Sequence, residues 1–481
     1  MAASKEIIVT YTNIVLYAIS YQLQRPVEPF LVRSLIHNSK HNSSNQIEEE
    51  ASNKTYGRLT SFFSFIQTIG SPLIGILLDR IGVRKTSVLV YLASATSYWI
   101  LANATSTIWL FWSKLPTILQ HAFLVGQATV ASTTTSSLDG SNENDDKLRA
   151  VALGRMTTAY TIGATIGPAL GGYLAMGDLY LGAKLAVWGS IISVILSVMF
   201  LKDHNKNENK DDKEKISQQS FLQSMRQTLS YLRHPTLGPL LFIKLLNGVS
   251  SSAFTTVQPL VLVNKLQLDT SQLGFFMSAS SLSVAAFASL GISSSMSFVG
   301  NRSDRLASAG ISFRIASMVI FGVVVSWCLN NLVNLDATKD SQSVEIPTIG
   351  LWLATVSSIA ISISSHMHAT SLTTLLTGSV SVEHRGAILG LEHGLFSLAR
   401  VVGPPLGTTL LSRPNVMDKV NIHDGLTGIW GVICAGIMMD SILLLCLRRW
   451  SGKHDAKIKS DEFIGLAKVG DDAYSDHDHS D

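Results

Sequence analysis

Several ionisable side chains lie within long apolar stretches of the sequence. Arg25 and Glu28 are three residues apart, so on a helix they share a face with Tyr21 and Gln22 and can pair. A carboxylate in such a pair can take up a proton when a charged solute or water changes its surroundings. Because a charge within hydrocarbon costs at least about 2.5 kcal/mol, we interpret Arg25 and Glu28 as candidates for coupling proton movement to solute binding. In the alternative, Arg25 only extends to the membrane surface.

A second group of ionisable residues lies in other apolar stretches. Glu392 and Arg400 are eight residues apart, so on a helix they share a face without touching. We predict that both have a functional role, although a position of Glu392 near the membrane surface would need none. His121, His366 and His368 are candidates for carrying protons, because histidine changes charge close to neutral pH. The alternative is that each histidine is a hydrogen-bonded packing residue.

These residues belong to a chain that is too apolar for an ordinary soluble protein. Its 481 residues are 46% hydrophobic and 15% charged, with a mean hydropathy of +0.29, whereas soluble proteins carry about 25% charged residues. The formal net charge of +3 does not favour nucleic-acid binding. The three cysteines all lie in apolar runs, which excludes a disulfide scaffold and a zinc or redox motif. The composition therefore predicts a membrane protein and excludes a disordered chain, a coiled coil and a cytosolic enzyme.

Twelve apolar segments are long enough to span a membrane, which takes about 20 residues per helix. They are residues 7–30, 58–78, 86–105, 107–134, 152–175, 181–201, 237–263, 271–298, 312–334, 347–376, 386–411 and 426–447. Many are rich in Ser, Thr, Gly and Ala, which lets helices approach closely in lipid. We therefore predict an all-α bundle of twelve transmembrane helices. The first segment is expected to be retained and not cleaved as a signal peptide.

The basic residues of the loops predict the orientation of this bundle. If both termini are cytoplasmic, most of the Lys and Arg residues between the segments lie on the cytoplasmic side, as the positive-inside rule requires. Three sequons, at Asn42, Asn53 and Asn103, then lie on the outer side and are candidates for glycosylation. The protein is expected in the plasma membrane or an endomembrane.

The chain contains an internal repeat. A shift of 236 residues places residues 149–174 on 385–410 and aligns a Gly-Pro-x-x-Gly sequence in each. Segment 5 therefore matches segment 11, which predicts two parallel six-helix halves with a solute site between them, the plan of many transporters. The predicted parts are a first half (1–201), a charged cytoplasmic linker with an amphipathic helix (202–236), a second half (237–447) and a disordered cytoplasmic tail (448–481).

A charged turn joins segments 2 and 3. Its glycines allow a tight turn, and its aspartate stands beside several cations. We predict that charge pairs in this turn latch one end of the protein and break when that end opens. The alternative is that they are simple surface charges. The residues of this predicted gate are Gly75, Asp79, Arg80, Gly82, Arg84 and Lys85.

Segment 5 carries regularly spaced glycines around a proline, namely Gly154, Gly163, Gly167, Pro168, Gly171 and Gly172. The glycines leave a flat face for close packing, and the proline lets the helix bend. This pattern resembles the helix 5 motif of the drug:proton antiporter branch of the major facilitator superfamily. The turn after segment 2 resembles the signature that this superfamily carries between helices 2 and 3.

Two further sequences extend the resemblance, which covers about residues 7–447. The sequence Pro26-Val-Glu-Pro29 is similar to the end of helix 1 in tetracycline-efflux proteins, and Lys114 stands where the family carries a basic residue, usually Arg. The similarity to organic cation transporter-like and tetracycline-transporter-like members implies a proton antiporter that exports organic cations or drugs, with Lys114 and His121 among its coupling residues. It also implies a central cavity, for which the candidates are Gln22, Lys244, Asn247, Gln258, His366 and His368.

Two other functions stay open beside this export function. One is a proton-independent facilitator or a symporter of a metabolite, and the other is a receptor or scaffold that does not transport. An enzyme is not expected, because the sequence has no Walker-type loop, no catalytic triad and no metal-ligand cluster. The expected partners are a small organic solute, protons and membrane lipid, with no cofactor, metal or nucleic acid, and the protein is expected to be a monomer.

Overall fold

The computed structural model describes residues 2–39, 45–135, 143–202, 230–337, 348–380, 385–412 and 424–475, and within these ranges every regular element is a helix. The first half contains α1a (Ala2–Gln22), α1b (Glu28–Ser39), α4a (Thr107–Lys114), α4b (Ala122–Thr135), α5 (Glu143–Ala175) and α6 (Leu181–Phe200). Its remaining helical element is Asn45–Ala102, which Gly82 divides (φ 81°, ψ 171°) into α2 before it and α3 after it. The second half contains α7 (Leu237–Asn264), α8a (Thr270–Ala286), α8b (Ile292–Phe298), α9 (Ser303–Ala337), α10 (Thr348–Gly378), α11 (Arg385–Leu411) and α12 (Asp424–Ser475). Short 3₁₀ helices occupy Leu115–Leu119 and Tyr231–Arg233, and a π-helical turn occupies Phe287–Gly291.

The first predicted segment is not one continuous helix. Helix α1a ends at Gln22 and α1b begins at Glu28, with a turn between them. Pro26 has no backbone N–H to donate, and the residue before a proline avoids helical backbone angles, so the helix breaks here. The break places Arg25 in the turn between α1a and α1b.

The fourth predicted segment is broken in a similar way. Helix α4a ends at Lys114, and the 3₁₀ helix that follows has Pro116 at its start. Helix α4b resumes only at Ala122, after Gln120 has left the helical conformation with a φ of −79° and a ψ of 61°. Both breaks therefore lie at a proline, Pro26 in one and Pro116 in the other.

Glycines hold equivalent helix pairs together in the two halves. A Cβ added at Gly163 of α5 would lie 2.5 Å from the Cβ of Ala18 on α1a, and one added at Gly403 of α11 would lie 1.9 Å from Ser252 Oγ on α7. Helix α5 thus packs on α1 as α11 packs on α7. This agrees with the parallel repeat predicted from the sequence.

The two halves touch each other at one end of the bundle. A Cβ added at Gly57 of α2 would lie 2.2 Å from Thr408 Oγ1 on α11, and one added at Gly172 of α5 would lie 2.1 Å from the carbonyl oxygen of Thr270 on α8a. At the same end, Asn264 Nδ2 donates a hydrogen bond to the Asn53 side chain at 2.9 Å. A buried apolar cluster shared by α1b, α2 and α7 completes this closed end, through Leu31, Val32, Leu35, Ile36, Leu59, Val257, Leu260 and Val261.

The same helices separate towards the other end, which carries Gly82. An added Cβ at Gly75 of α2, at Gly154 of α5, or at Gly390 or Gly394 of α11 would meet no described atom within 4 Å. The space between the halves is therefore closed at one end and open at the Gly82 end. With the predicted cytoplasmic termini, this is an inward-open arrangement.

Seven stretches of described helix are long and apolar enough to cross a membrane: Gln46–Leu78, Leu181–Phe200, Leu237–Asn264, Thr270–Phe298, Ser303–Asn331, Ile349–Gly378 and Thr427–Gly452. Most of the predicted linker, residues 203–229, lies outside the described residues, and so does the start of its predicted amphipathic helix. Disorder was predicted from residue 448, whereas α12 continues to Ser475. That stretch contains no proline, and Lys, Ala and Glu favour a helix.

Candidate functional site

A cavity lies between the two halves, where α1 to α4 face α7 and α11. The first half contributes Tyr21, Gln24, Arg25, Glu28, Tyr56, Thr60, Phe63, Ser97, Tyr98, Leu101, Lys114, Thr117 and Gln120, and the second contributes Ser252, Thr255, Thr256, Arg400 and Pro404. Four of the predicted coupling residues, Arg25, Glu28, Lys114 and Arg400, come together on this wall.

An ion pair joins two helices of the cavity wall. Lys114 Nζ donates a hydrogen bond to Glu28 Oε1, and the two side chains are only 12% and 19% exposed, respectively. Each residue stands beside a helix break, Glu28 at the start of α1b and Lys114 at the end of α4a. Lys114 Nζ also lies 5.4 Å from the centroid of the Phe63 ring, within the range of a cation–π interaction. The pair is thus partly shielded from water, and a proton on Glu28 would remove its attraction to Lys114.

The predicted pairing of Arg25 with Glu28 is replaced by this contact. That prediction assumed a continuous helix, and the turn around Pro26 changes the direction of the two side chains. Arg25 is exposed to the cavity, and Arg400, which is partly buried, lines the same cavity. Among the described residues, neither arginine has a carboxylate within ion-pair distance.

Aromatic rings and hydroxyl groups make up much of the remaining wall. The rings of Tyr21 and Phe63 stack at 6.0 Å between centroids, and Gln120 Nε2 donates a hydrogen bond to the Tyr98 hydroxyl at 2.9 Å. Sequence reasoning missed Tyr56, because this residue precedes the predicted segment 58–78.

A short polar stripe on α7 was also missed. Thr255 and Thr256 lie three and four residues after Ser252 on α7, and all three line the cavity. Their helical spacing within the predicted segment 237–263 was the signal that could have identified them.

Lys244 and Glu392 form a second ion pair, on the second half and outside the residues that line the cavity. Lys244 Nζ lies 2.6 Å from Glu392 Oε1 and donates hydrogen bonds to the Ala369 carbonyl oxygen at 2.7 Å and to Thr373 Oγ1 at 2.8 Å. Thr373 Oγ1 donates to Glu392 Oε1 at 2.6 Å. The pair therefore ties α7, α10 and α11 together.

A fully buried polar network fills the interior of the same half. Arg314 on α9 forms an ion pair with Asp440 on α12, and both side chains are 0% exposed. Arg314 Nη1 donates to Asn247 Oδ1 at 3.0 Å, and His368 Nε2 lies 2.5 Å from the same oxygen. Asn247 and His368, predicted for the cavity, therefore lie inside the second half and join α7, α9, α10 and α12.

The other cavity and histidine candidates also lie away from the wall. Gln22 is buried against α5, and Gln258 is partly buried with its Nε2 atom unpaired among the described residues. His366 is partly buried on α10, and His121 packs against Gly70 of α2. None of the four is part of the cavity lining.

The predicted gate lies at the turn between α2 and α3. Gly82 has the positive φ that a glycine permits, and Arg84 Nη2 donates a hydrogen bond to the Val198 carbonyl oxygen of α6 at 2.5 Å. Arg80 and Lys85 are exposed. The side chain of Asp79 lies outside the described residues, so its role in a latch stays a prediction.

The matching turn of the second half has its own charge cluster. Arg302 and Asp304 form an ion pair at 2.8 Å, and Ser451 Oγ donates to Asp304 Oδ2 at 2.6 Å. Gly300 precedes them with a φ of 76°. This cluster ties the turn before α9 to α12.

The glycine motif of α5 serves two interfaces. A Cβ added at Gly171 would lie 2.2 Å from the Leu23 carbonyl oxygen, and one added at Gly167 would lie 2.6 Å from Gln22 Cβ, so both glycines permit close contact with α1. Next to Pro168, the Ala169 N–H donates to Ser278 Oγ of α8a at 2.8 Å. The motif thus joins α5 both to its own half and to the opposite half.

The three sequons are placed differently. Asn53 is 2% exposed and bonded to Asn264, so it cannot carry a glycan in this conformation. Asn103 is exposed, although its Nδ2 donates to the Trp99 carbonyl oxygen at 2.8 Å. Asn42 lies outside the described residues.

Sequence comparison agrees with this architecture. Residues 10–404 match the family model of the Major Facilitator Superfamily. The chain belongs to this superfamily. This major facilitator protein is 23% identical over 372 residues to mouse (Mus musculus) solute carrier family 22 member 18. The alignment covers 74% of this chain and 80% of the relative. It is 25% identical over 210 residues to the class C tetracycline resistance protein of Escherichia coli, covering 44% of this chain and 48% of the relative.

Structural comparison supports the same fold. The crystal structure of the human organic anion transporter MFSD10 (TETRAN) matches with a TM-score of 0.55 and 15% identity, covering 93% of this chain and 100% of that chain. At this identity the likeness concerns the fold alone. The resemblance to the superfamily and to its tetracycline-efflux members is confirmed, and this major facilitator protein is a multi-pass membrane transporter and not an enzyme.

Proposed function

We propose that the protein is a proton-coupled secondary transporter that carries a small organic solute by alternating access, with Glu28 as the proton-binding group. The observation that carries this proposal is the Glu28–Lys114 ion pair on the wall of the cavity between the halves. A carboxylate that is both accessible to a solute and paired with a cation links proton binding to solute binding at one place.

The energetics of the pair support a coupling role. Removing one charge of a buried pair leaves the other without its counter-ion, which costs about 3–5 kcal/mol in proteins. Glu28 and Lys114 are partly exposed to the cavity, so the cost here is smaller but has the same sign. Protonation of Glu28 therefore favours a state in which Lys114 gains another partner.

The packing of the halves supports alternating access. Helix α2 meets α11, and α5 meets α8a, through Gly57 and Gly172 towards the closed end. Rocking of the halves would exchange these contacts for contacts near Gly75 and Gly154, whose added Cβ atoms now meet no described neighbour. The predicted gate lies where those new contacts would form.

The charge of the solute decides the direction of coupling. A cationic solute would compete with the proton for Glu28 and give antiport, as predicted from the resemblance to organic cation exporters. A solute that binds more tightly when Glu28 is protonated would move together with the proton. The names of the solute carrier and tetracycline resistance relatives support transport of small molecules but do not decide between these two cases.

Proton coupling can be tested with the full-length protein in proteoliposomes that contain a pH-sensitive dye. The solutes are four probes on one ring system: 2-naphthoate, 2-naphthalenesulfonate, 2-naphthyltrimethylammonium and 2-naphthamide. We expect at least one charged probe to move protons, and Glu28→Gln to abolish this proton movement while exchange of the probe across the membrane continues. Glu50→Gln is the matched control, because Glu50 pairs with Lys54 on the exposed face of α2 and not in the cavity.

Two outcomes would contradict the proposal. If Glu28→Gln transports the probe and still moves protons as the parent does, Glu28 is not the coupling residue. If no pH gradient changes the rate of probe transport, the protein is a facilitator. Absence of flux for all four probes would support the non-transporting scaffold.

A further inference from the structure

The cavity carries an excess of positive charge. Its wall contains three cations, Arg25, Lys114 and Arg400, and one carboxylate, Glu28. Because Glu28 is already bonded to Lys114, the two guanidinium groups remain without a carboxylate partner among the described residues. The formal charge left on the wall is that of the two arginines.

This excess is unusual for a cavity between two packed halves, in which the Lys114 and Glu28 side chains are only 12% and 19% exposed. A charged group removed from water is normally paired, because desolvation opposes the charged form unless a counter-charge replaces the lost solvent. The other internal cations follow this rule: Lys244 has Glu392, and Arg314 has Asp440. Arg25, which is exposed to the cavity, and Arg400, which is partly buried, have no carboxylate partner among the described residues, and both line the cavity between the halves.

We propose that the transported solute carries an anionic group, a carboxylate, sulfonate or phosphate, held between Arg25 and Arg400, with an aromatic or apolar body against Tyr21, Tyr56 and Phe63. This inference rests on the proposed function and adds the chemical class of the solute to it. A guanidinium presents a planar fork of N–H donors that matches the oxygens of these anions. The aromatic rings supply the apolar surface on which small-molecule sites commonly rely.

The positions of the two arginines give the anion a mechanical role. Arg25 belongs to the turn of α1 in the first half, and Arg400 belongs to α11 in the second half. Without a solute, these like charges repel each other across the cavity and oppose its closure. An anion between them reverses this interaction, so solute binding favours the state in which the halves approach each other.

The anion also determines how the proton is coupled. The charged or titratable groups around Glu28 on the wall are Tyr21 and Arg25 from α1, Tyr56 from α2, Tyr98 from α3, Lys114 from α4 and Arg400 from α11, whereas α7 presents only hydroxyl groups there. Protonation of Glu28 removes the one negative charge and frees Lys114, so it strengthens anion binding. By linkage the anion strengthens proton binding equally. Proton and anion therefore bind together and move in the same direction, and the empty protein returns with Glu28 and Lys114 paired.

An organic cation fits this wall poorly. It would enter a cavity with three cations, and Glu28, the only carboxylate among the described residues of the wall, is already bonded to Lys114. The sequence resemblance predicted organic cations, whereas the charge arrangement favours the opposite sign.

Binding of the four naphthyl probes to the purified full-length protein in detergent tests the charge of the solute. We expect 2-naphthalenesulfonate and 2-naphthoate to bind at least about tenfold more tightly than the trimethylammonium probe, because hydrogen bonds between charged groups exceed neutral ones by this order. Arg25→Gln and Arg400→Gln should each weaken sulfonate binding about tenfold or more. Arg25→Lys and Arg400→Lys should weaken sulfonate binding less, because lysine keeps the positive charge but lacks the planar N–H donors of a guanidinium group. Arg33→Gln is the matched control, because Arg33 is an exposed arginine of α1b that does not line the cavity.

The pH dependence of sulfonate binding tests the coupling, because the sulfonate itself stays ionised. Binding should strengthen as the pH falls, and in Glu28→Gln it should be tight and independent of pH. An inward proton gradient should drive sulfonate uptake into proteoliposomes, with the proton entering in the same direction. Monodisperse elution and unchanged melting of each variant would exclude unfolding as the cause of lost binding.

The outcomes separate this inference from the proposed function. Tighter binding of the trimethylammonium probe, no binding of either anion, or sulfonate affinity within about twofold of the parent in Arg25→Gln and Arg400→Gln would overturn the anionic class. Proton-coupled transport of the cation alone would overturn it while the proposed function stands. A third outcome would separate the two proposals. If sulfonate binding depends on the arginines but keeps the same pH dependence in Glu28→Gln, the anionic class is supported. The same result would contradict Glu28 as the proton-binding group.

Discussion

Lys244 Nζ lies 2.6 Å from Glu392 Oε1, in a part of the second half whose counterpart in the first half is apolar. Between α1, α4 and α5 the first half packs a hydrocarbon cluster that includes Ile14, Val130 and Met156. The repeat therefore tolerates an apolar filling at this place. The ion pair is a specific feature of the second half and not a requirement of the fold.

The Lys244–Glu392 pair supports a stability prediction. Glu392→Gln leaves the Lys244 cation without its counter-ion, which costs about 3–5 kcal/mol in a fully buried pair. Because this pair is nearly but not fully buried, the protein should be destabilised by no more than that amount. The double variant Lys244→Met/Glu392→Leu removes both charges and should restore most of the lost stability. Thermal unfolding in detergent measures both effects, and equal destabilisation of the single and double variants would show that the charges do not act as a pair.

The glycines of α5 give a prediction with an internal control. Gly171→Ala places a Cβ 2.2 Å from the Leu23 carbonyl oxygen, so it should push α5 from α1 and lower both melting temperature and transport. Gly154→Ala meets no described neighbour within 4 Å and should be neutral or stabilising by up to about 1 kcal/mol, because alanine favours a helix more than glycine does. Melting curves compare the two variants. Greater damage from Gly154→Ala would contradict the packing described for the motif.

The closed end of the cavity predicts a cross-link. In a background with Cys328, Cys434 and Cys446 replaced by serine, Asn53→Cys/Asn264→Cys places two thiols where the native side chains are 2.9 Å apart. A short bifunctional thiol reagent should join them, hold the closed end together and stop transport until the link is cleaved.

The control for this cross-link is a pair at the open end, Gly75→Cys/Gly390→Cys. These positions have no described neighbour for an added Cβ, so the same reagent should link them poorly in the absence of solute. Efficient linking of this second pair, with none between positions 53 and 264, would mean that the resting protein is open at the opposite end. Mass spectrometry of peptides distinguishes the two links.

The placement of the sequons predicts which one can be modified. In a host that glycosylates secretory proteins, Asn103→Gln should remove a glycan if the predicted topology holds, because Asn103 is exposed. Asn53→Gln should leave the glycan pattern unchanged, because Asn53 is 2% exposed and bonded across the halves. A gel shift after glycosidase treatment reads out both variants, and loss of a glycan in Asn53→Gln would contradict its burial.

The sequence by itself determined the fold class, the parallel repeat and four residues of the cavity wall. Hydropathy shows where helices cross lipid because the bilayer imposes a minimum apolar length. The glycine motif shows close packing because any side chain there would keep two helices apart. Arg25, Glu28, Lys114 and Arg400 stood out because a charge in an apolar segment is costly and needs a reason.

Only the tertiary structure decided which of those charges meet. The sequence paired Arg25 with Glu28 along one helix, but the break at Pro26 lets Glu28 reach Lys114, which is 86 residues away. Packing also places Asn247 and His368 in the interior of the second half, and it leaves Arg25 and Arg400, on opposite halves, without a carboxylate partner among the described residues. Spacing along a chain reports neighbours on the same helix, whereas the sign of charge in a cavity depends on side chains brought together from different helices by packing.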